Sequence, residues 1–158
     1  MKRIALTKGQ FTLVDNEDFE RLSAFKWYAM ETKVGDFYAY RKVRLTKSKH
    51  GCTISMSRFI LQATNGMLVD HKNGNTLDNQ KHNLRLCKRG ENNCNRPKNK
   101  RNTSGFKGVF SKRNKWRSAI GHDGIVTRLG TFATKREASE AYNKATLKYH
   151  KSFSYLKR

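Results

Sequence analysis

Met67-Leu68-Val69-Asp70-His71, the polar run from Lys72 to Gln80, and Leu84-Arg85-Leu86-Cys87 constrain this chain more than any other stretch. Two apolar-rich runs of strand length enclose a segment of Asn, Asp and Gly, residues that turn readily because they bond their own backbone or tolerate positive φ. The pattern predicts a hairpin whose first strand ends in Asp70-His71, with an irregular loop over 72–80. Residues from about Gly90 to Asn95 then predict a short helix carrying Asn92 and facing the hairpin.

The same residues carry chemistry. Carboxylate and amide oxygens can hold a hard metal ion, and an adjacent imidazole can take a proton from water. The chain has 34 Lys plus Arg against 12 Asp plus Glu, net +22. A charge of that size predicts salt-sensitive attachment to nucleic acid. Together these features point to phosphodiester hydrolysis. No apolar run approaches the roughly 20 residues of a membrane span, and Met1-Lys2-Arg3 is not followed by an apolar signal core. Cys52, Cys87 and Cys94 are an odd number with no Cys-x-x-Cys pair, which favours reduced thiols and a cytoplasmic setting.

Charge and punctuation predict two functional modules. Residues 1–66 are mixed, with 12 basic and 6 acidic side chains, whereas 102–158 hold 13 and 3, so the basic excess grows along the chain. Pro97 lies in a polar, basic run with no apolar periodicity, which reads as a linker over 97–102. A linker of this kind either lies along a DNA groove or is a solvated loop. Upstream, Ile4–Leu6 and Phe11–Val14 flank Lys8-Gly9-Gln10 as a hairpin, and Asp15 or Asn16 starts a helix carrying Phe19, Leu22 and Phe25. Strands follow at Trp27–Met30, Phe37–Arg44 and Thr53–Met56. The alternation of Arg41, Val43 and Leu45 with Lys42, Arg44 and Thr46 allows a ribbon with one basic face, or merely a solvated one.

Asp70-His71, Asp78-Asn79, Asn83-Leu84-Arg85 and Asn92-Asn93, occurring together in order, resemble the HNH nuclease motif in the variant of phage and intron-encoded homing endonucleases. The resemblance covers 67–96 and implies a ββα-metal fold. It implies that Asp70 and Asn92 coordinate one divalent cation, Mg²⁺ (or Mn²⁺), that His71 is the general base, and that Asn83 holds the hairpin and His71 in orientation. Arg85, Lys72 and Arg96 are candidate phosphate or DNA contacts, and His82 is held in reserve. Many relatives place a histidine where this chain has asparagine, and a neutral amide oxygen suits Mg²⁺ better than Zn²⁺. Asn92, Asn93 and Asn95 all remain candidates for that position, with Asn92 preferred because Asn92, Asn95 and Arg96 share a helical face. Asn79 reads as a loop cap through an Asx turn rather than as a ligand. None of His50, His82, His122 and His150 is expected to bind metal.

Further on, Gly105–Phe110, Lys115–Ile120 and Thr127–Phe132 read as three strands, with the turn Gly121-His122-Asp123-Gly124 joining the last two. Thr134 with Glu137 begins a helix that presents Ala138, Ala141, Tyr142, Ala145 and Tyr149 on one face. Gly105-Phe106-Lys107-Gly108-Val109, Trp116, Ile120, Leu129-Gly130-Thr131-Phe132 and the Glu137–Ala145 helix resemble the plant Apetala/ethylene-response-factor-type DNA-binding domain. That family places its sheet in the major groove, which implies contacts from Lys107, Arg117 and Arg128, with Lys112, Arg113 and Lys115 reaching phosphates. Phe110, Gly121 and Val126 stand where the plant domains carry arginines. Trp116 reads as core.

The whole is expected to be α+β: an N-terminal β-rich region leading into the ββα-metal motif (1–96), the linker, and a three-stranded antiparallel sheet packed on one helix (103–158). The expected function is a monomeric, site-specific endonuclease acting on double-stranded DNA and nicking one strand. The alternative is a non-cleaving DNA-binding regulator on a nuclease-like scaffold.

Overall fold

The computed structural model describes residues 1–44, 51–96, 98, 99, 101–150 and 153. Leu45, Thr46, His50 and Pro97, named above, lie outside them. The fold is mixed α and β, with several small antiparallel sheets and few helices. The chain divides into two compact units, Met1–Lys88 and Arg89–Arg158.

In the first unit, β1 (Lys2–Ala5) and β2 (Phe11–Val14) form the expected hairpin. Lys8 and Gly9 make its turn with positive φ. Helix α1 (Asn16–Ser23) follows, with Asp15 at the N-cap position but making no side-chain cap bond. Strands β3 (Tyr28–Glu31), β4 (Phe37–Val43) and β5 (Cys52–Ser55) form an antiparallel sheet. Met56, expected in the strand, instead begins α2 (Met56–Ile60), where Ser55 Oγ accepts from Arg58 N at 3.4 Å. Five residues carry too little periodicity to announce a helix; the serine cap is the local signal. The motif hairpin is β6 (Leu68–His71) and β7 (Leu84–Cys87), with His71 paired to Leu84 and Asp70 to Arg85.

The core of this unit gathers Ile4, Val14, Leu22, Trp27, Ala39, Met56, Ile60 and Leu84, with Phe19 and Val69 packed against it. Leu84 roots the motif hairpin in that core, and burying one such side chain is worth about 1.5–3 kcal/mol. Phe25, expected on α1, lies beyond its end and stands edge-on to Phe59. Lys42 and Arg44 are exposed, as the alternation allows, whereas Arg41 is half-buried. Its guanidinium lies 3.8 Å from the Phe25 ring centre and 4.8 Å from that of Phe59, an arrangement in which cation–π attraction fixes it against the aromatic cluster.

The second unit starts with α3 (Arg89–Cys94). Strands β8 (Val109–Lys112), β9 (Lys115–His122) and β10 (Ile125–Phe132) then form a sheet with β9 central, and α4 (Lys135–Tyr149) packs on one face. Thr134 Oγ1 accepts from Glu137 N at 3.2 Å, as the capping pattern predicts. Ile120, Tyr142 and Ala145 form the buried centre, with Tyr149 and Leu129 against it. Gly105–Gly108 is turn rather than strand, and Asn102 and Ser104 tie it together through Phe106. Gly108 has φ +70°, and a Cβ there would lie 2.0 Å from the Tyr142 ring, so only glycine fits. β9 runs to His122, so Asp123-Gly124, both at positive φ, form the two-residue turn.

Candidate active site

The loop between β6 and β7 is held in shape by the N-terminal hairpin. Leu13 N donates to Leu77 O at 2.9 Å, and Asn79 N donates to Leu13 O at 2.9 Å, so the loop runs as a short parallel extension beside β2. Asp15, whose position would suit a helix cap, accepts from Lys81 N at 2.7 Å and Gln80 Nε2 at 3.3 Å instead. Thr76 Oγ1 donates to Phe37 O on β4. An Asn- and Gly-rich loop is otherwise soft; these bonds replace the missing core contacts.

Inside the loop, Asn83 is buried, its Nδ2 donating to Asp78 O at 2.8 Å and its Oδ1 accepting from Asn73 N at 3.0 Å. It therefore closes the loop. Asp78, also buried, accepts from Asn73 Nδ2 at 2.8 Å and Gln80 N at 3.4 Å.

Asn79 differs from the expectation of an Asx cap. Its side chain is 2 % exposed and bonds two distant residues. Nδ2 donates to Thr12 Oγ1 at 2.8 Å, and Oδ1 lies 3.2 Å from His71 Nε2. Thr12, fully buried on β2, donates its hydroxyl proton to Leu77 O at 2.7 Å. The donor and acceptor inventory then fixes the rest. The Thr12 oxygen must accept, so the Asn79 NH₂ faces it and the amide oxygen faces His71. An amide oxygen only accepts, so His71 Nε2 carries the hydrogen, and in neutral imidazole Nδ1 is the basic nitrogen. Burial holds His71 below its usual imidazole value, opposed by the Asn79 bond and by Asp70 and Asp78. Tyr38 on β4 stands edge-on to the ring at 6.1 Å.

Asp70 is buried beside His71, and Arg85 on the facing strand meets it. Arg85 Nε donates to Asp70 Oδ2 at 2.7 Å and Nη2 lies at 2.5 Å, with both side chains largely shielded from water. Direct cross-strand pairing of Asp70 with Arg85 puts the two charges opposite each other. The guanidinium expected on a phosphate thus neutralises the motif carboxylate. Lys72 Nζ donates to His82 O at 2.7 Å across the loop mouth.

The remaining site residues lie in the second unit. On α3, Asn92 is half-buried, Asn93 exposed, and Asn95 buried just beyond the helix end, the order that helical spacing predicts. Lys107, expected on DNA, donates to Cys94 O at 2.7 Å and Arg96 O at 2.6 Å, capping the end of α3; burial lowers its ammonium below the usual lysine value. Arg96, Lys112, Arg113 and Lys115 are exposed, Arg113 in the β8–β9 turn at φ +53°. Arg117 and Arg128 share the sheet face away from α4, as alternation along β9 predicts. His150 is buried and bonds Gly121 O at 2.9 Å. His122 stacks on Tyr149.

Asp70, His71 and Asn83 thus come together on one hairpin, with α3 following it in sequence. Residues 63–94 match the HNH endonuclease family model. The match begins before β6 and ends at the last residue of α3, covering the whole strand–loop–strand–helix unit. Over a longer span the chain is similar to an uncharacterized HNH endonuclease of Acanthamoeba polyphaga mimivirus, with 26% identity over 137 residues, 86% of this chain and 68% of that protein. No solved structure matches. The HNH match implies a nuclease. Asn79 and Thr12 were missed from sequence because an Asn in a polar loop and a Thr in a distant strand carry no pairing signal until the loop docks on β2. Among the described residues, no helix is long and apolar enough to cross a membrane.

Proposed function

We propose that the protein is a site-specific DNA endonuclease of homing type that hydrolyses one strand of duplex DNA, with His71 as general base and Asp70 and Asn92 as ligands of one Mg²⁺ or Mn²⁺. The buried Thr12–Asn79–His71 relay carries the reading, because it presents a neutral imidazole with a defined basic nitrogen next to a carboxylate. A donor set of one carboxylate and one amide oxygen fits a hard cation that keeps waters and takes phosphate oxygens as further ligands. Among the described residues no three His, Cys, Asp or Glu side chains converge into a protein-only metal cage, and Mg²⁺ sites seldom have one.

His71 Nδ1 takes the proton from water as its oxygen attacks phosphorus, and Asn79 holds Nε2–H so that the ring accepts at that one atom. Arg85 keeps the Asp70 carboxylate oriented beside it. A bound divalent cation would supply Lewis-acid polarisation of the phosphate and stabilise the departing 3′ oxygen. The products carry a 5′-phosphate and a 3′-hydroxyl. The second unit, through the β8–β10 sheet, anchors the chain on DNA, and tethering raises the local concentration of the nuclease at its site. One motif per chain supports a monomer that nicks, and the viral source of the similar protein accords with a phage or intron-encoded enzyme acting in its host's cytoplasm.

The test is incubation of supercoiled plasmid and genomic DNA with Mg²⁺, with Mn²⁺ or with chelator, followed by ligation of the products. Relaxed circles that form only with the metal and reseal with DNA ligase are expected. Binding without cleavage of any DNA under all three conditions would give the lead to a non-cleaving regulator.

A further inference from the structure

The face of the β8–β9–β10 sheet turned away from α4 carries more than charge. Register places Phe110, Arg117 and Thr131 in one cross-strand row, Ala119 and Arg128 in the next, and Gly121 with Val126 beyond them; Lys112 and Lys115 pair at the opposite end. The alternate β9 residues Ser118 and Ile120 are buried on the α4 side. Phe110 is 54% exposed and Val126 72%. Single exposed apolar side chains are ordinary on protein surfaces. These two, however, bracket Arg117 and Arg128, and none of these rows contains an acidic residue.

A partner for this face must offer negative charge, hydrogen-bond acceptors for arginine, and apolar groups at the same level. The major groove of duplex DNA offers all three: phosphates, guanine O6 and N7, and the C5-methyl of thymine. We infer that Phe110 and Val126 read thymine methyl groups on either side of guanine contacts made by Arg117 and Arg128. The inference deepens the reading of this sheet as the DNA anchor and rests on it. Spacing sets its scale. Four residues along β9 separate the Phe110 row from the Val126 row, about 13 Å, and two inter-strand steps add roughly 9.6 Å across. The diagonal of about 16 Å corresponds to roughly five base steps of about 3.4 Å. The selected site should therefore hold two thymines about five steps apart with guanine between them.

The experiment uses the full-length chain carrying His71→Ala, so that no strand is cut, and a pool of randomised duplex oligonucleotides. The enriched duplex is then remade with deoxyuridine, which lacks the methyl group, at one thymine at a time. Each of two replacements should weaken binding about fourfold, the weight of one buried methyl-sized group. Phe110→Ala should abolish the penalty at one thymine and Val126→Ala at the other, with the salt dependence of affinity unchanged because no charge is removed. Both positions are exposed, and circular dichroism checks that the variants fold. If deoxyuridine costs nothing, or its penalty persists in both variants, while Arg117→Ala and Arg128→Ala still weaken binding, the thymine reading is overturned and the sheet stands as the DNA face. If the arginine variants also bind like the parent, the sheet is not the DNA face and both readings fall.

Discussion

Thr12→Val isolates the relay that orients the base. Valine keeps the shape of threonine but removes a fully buried hydroxyl that serves Leu77 O and Asn79 Nδ2 at once. Leu77 O keeps its bond from Leu13 N, so Asn79 Nδ2 is the group that loses its partner, at about 2 kcal/mol for one buried polar group. At about 4–8 °C per kcal/mol for a domain of this size, the melting temperature of the first unit should fall by roughly 8–16 °C. A second effect persists at temperatures where the variant is folded. With Thr12 silent, nothing on β2 dictates which end of the Asn79 amide faces His71, and an NH₂ turned toward Nε2 favours the tautomer whose basic nitrogen is the wrong one. General-base catalysis is worth about 10²–10⁴, and cleavage should drop roughly 10- to 100-fold. Plasmid nicking at low temperature, DNA affinity and the ¹⁵N shifts of the His71 ring would be measured together. The expected pattern is a lower kcat, unchanged affinity, a change in tautomer and recovery in Thr12→Ser. A Thr12→Val protein that nicks at the parental rate, with the parental tautomer, would refute the relay.

Three other outcomes follow from the geometry. Arg85→Ala leaves the buried Asp70 carboxylate without its ion-pair partner and should cost about 3 kcal/mol in denaturant unfolding; a loss below about 0.5 kcal/mol would mean the pair holds nothing. Gly108→Ala drives a Cβ into Tyr142 at a positive φ and should destabilise the second unit by at least about 3 kcal/mol, since overpacking alone costs about 1–3; a parental melt would contradict that contact. Burial raises the Tyr142 phenol to about 12, so the folded state keeps a proton that the unfolded chain loses from about pH 10. Stability from this group is fully present below pH 10 and declines as pH rises through 12, which alkaline unfolding of wild type against Tyr142→Phe would reveal.

The elements of this fold were legible where local pattern and burial coincide. The motif hairpin, the β1–β2 hairpin and α4 each show in local pattern alone, because strand-length apolar runs flank a turn-forming segment in the first two, and Ala138, Tyr142 and Ala145 share one helical face in the third. α2 escaped because five residues hold hardly more than one turn. Gly105–Gly108 read as strand although its glycines at positive φ mark a turn. The candidate site divides in the same way. Asp70, His71 and Asn83 are readable as a linear pattern, whereas Thr12 and Asn79 meet only through the docking of the loop on β2, 67 positions apart in sequence. Charge is the least specific signal: in a chain of net +22 it marks Lys107 and Arg85 for DNA without announcing the carbonyls and the Asp70 carboxylate to which they donate in this fold.

The most direct measurement is the nicking of supercoiled plasmid with Mg²⁺ by the wild-type chain and by His71→Ala, at matched DNA affinity. The account predicts relaxed circles from wild type and a loss of about 10²-fold or more in the variant. Equal cleavage by both proteins would contradict His71 as the base, and with it the central claim.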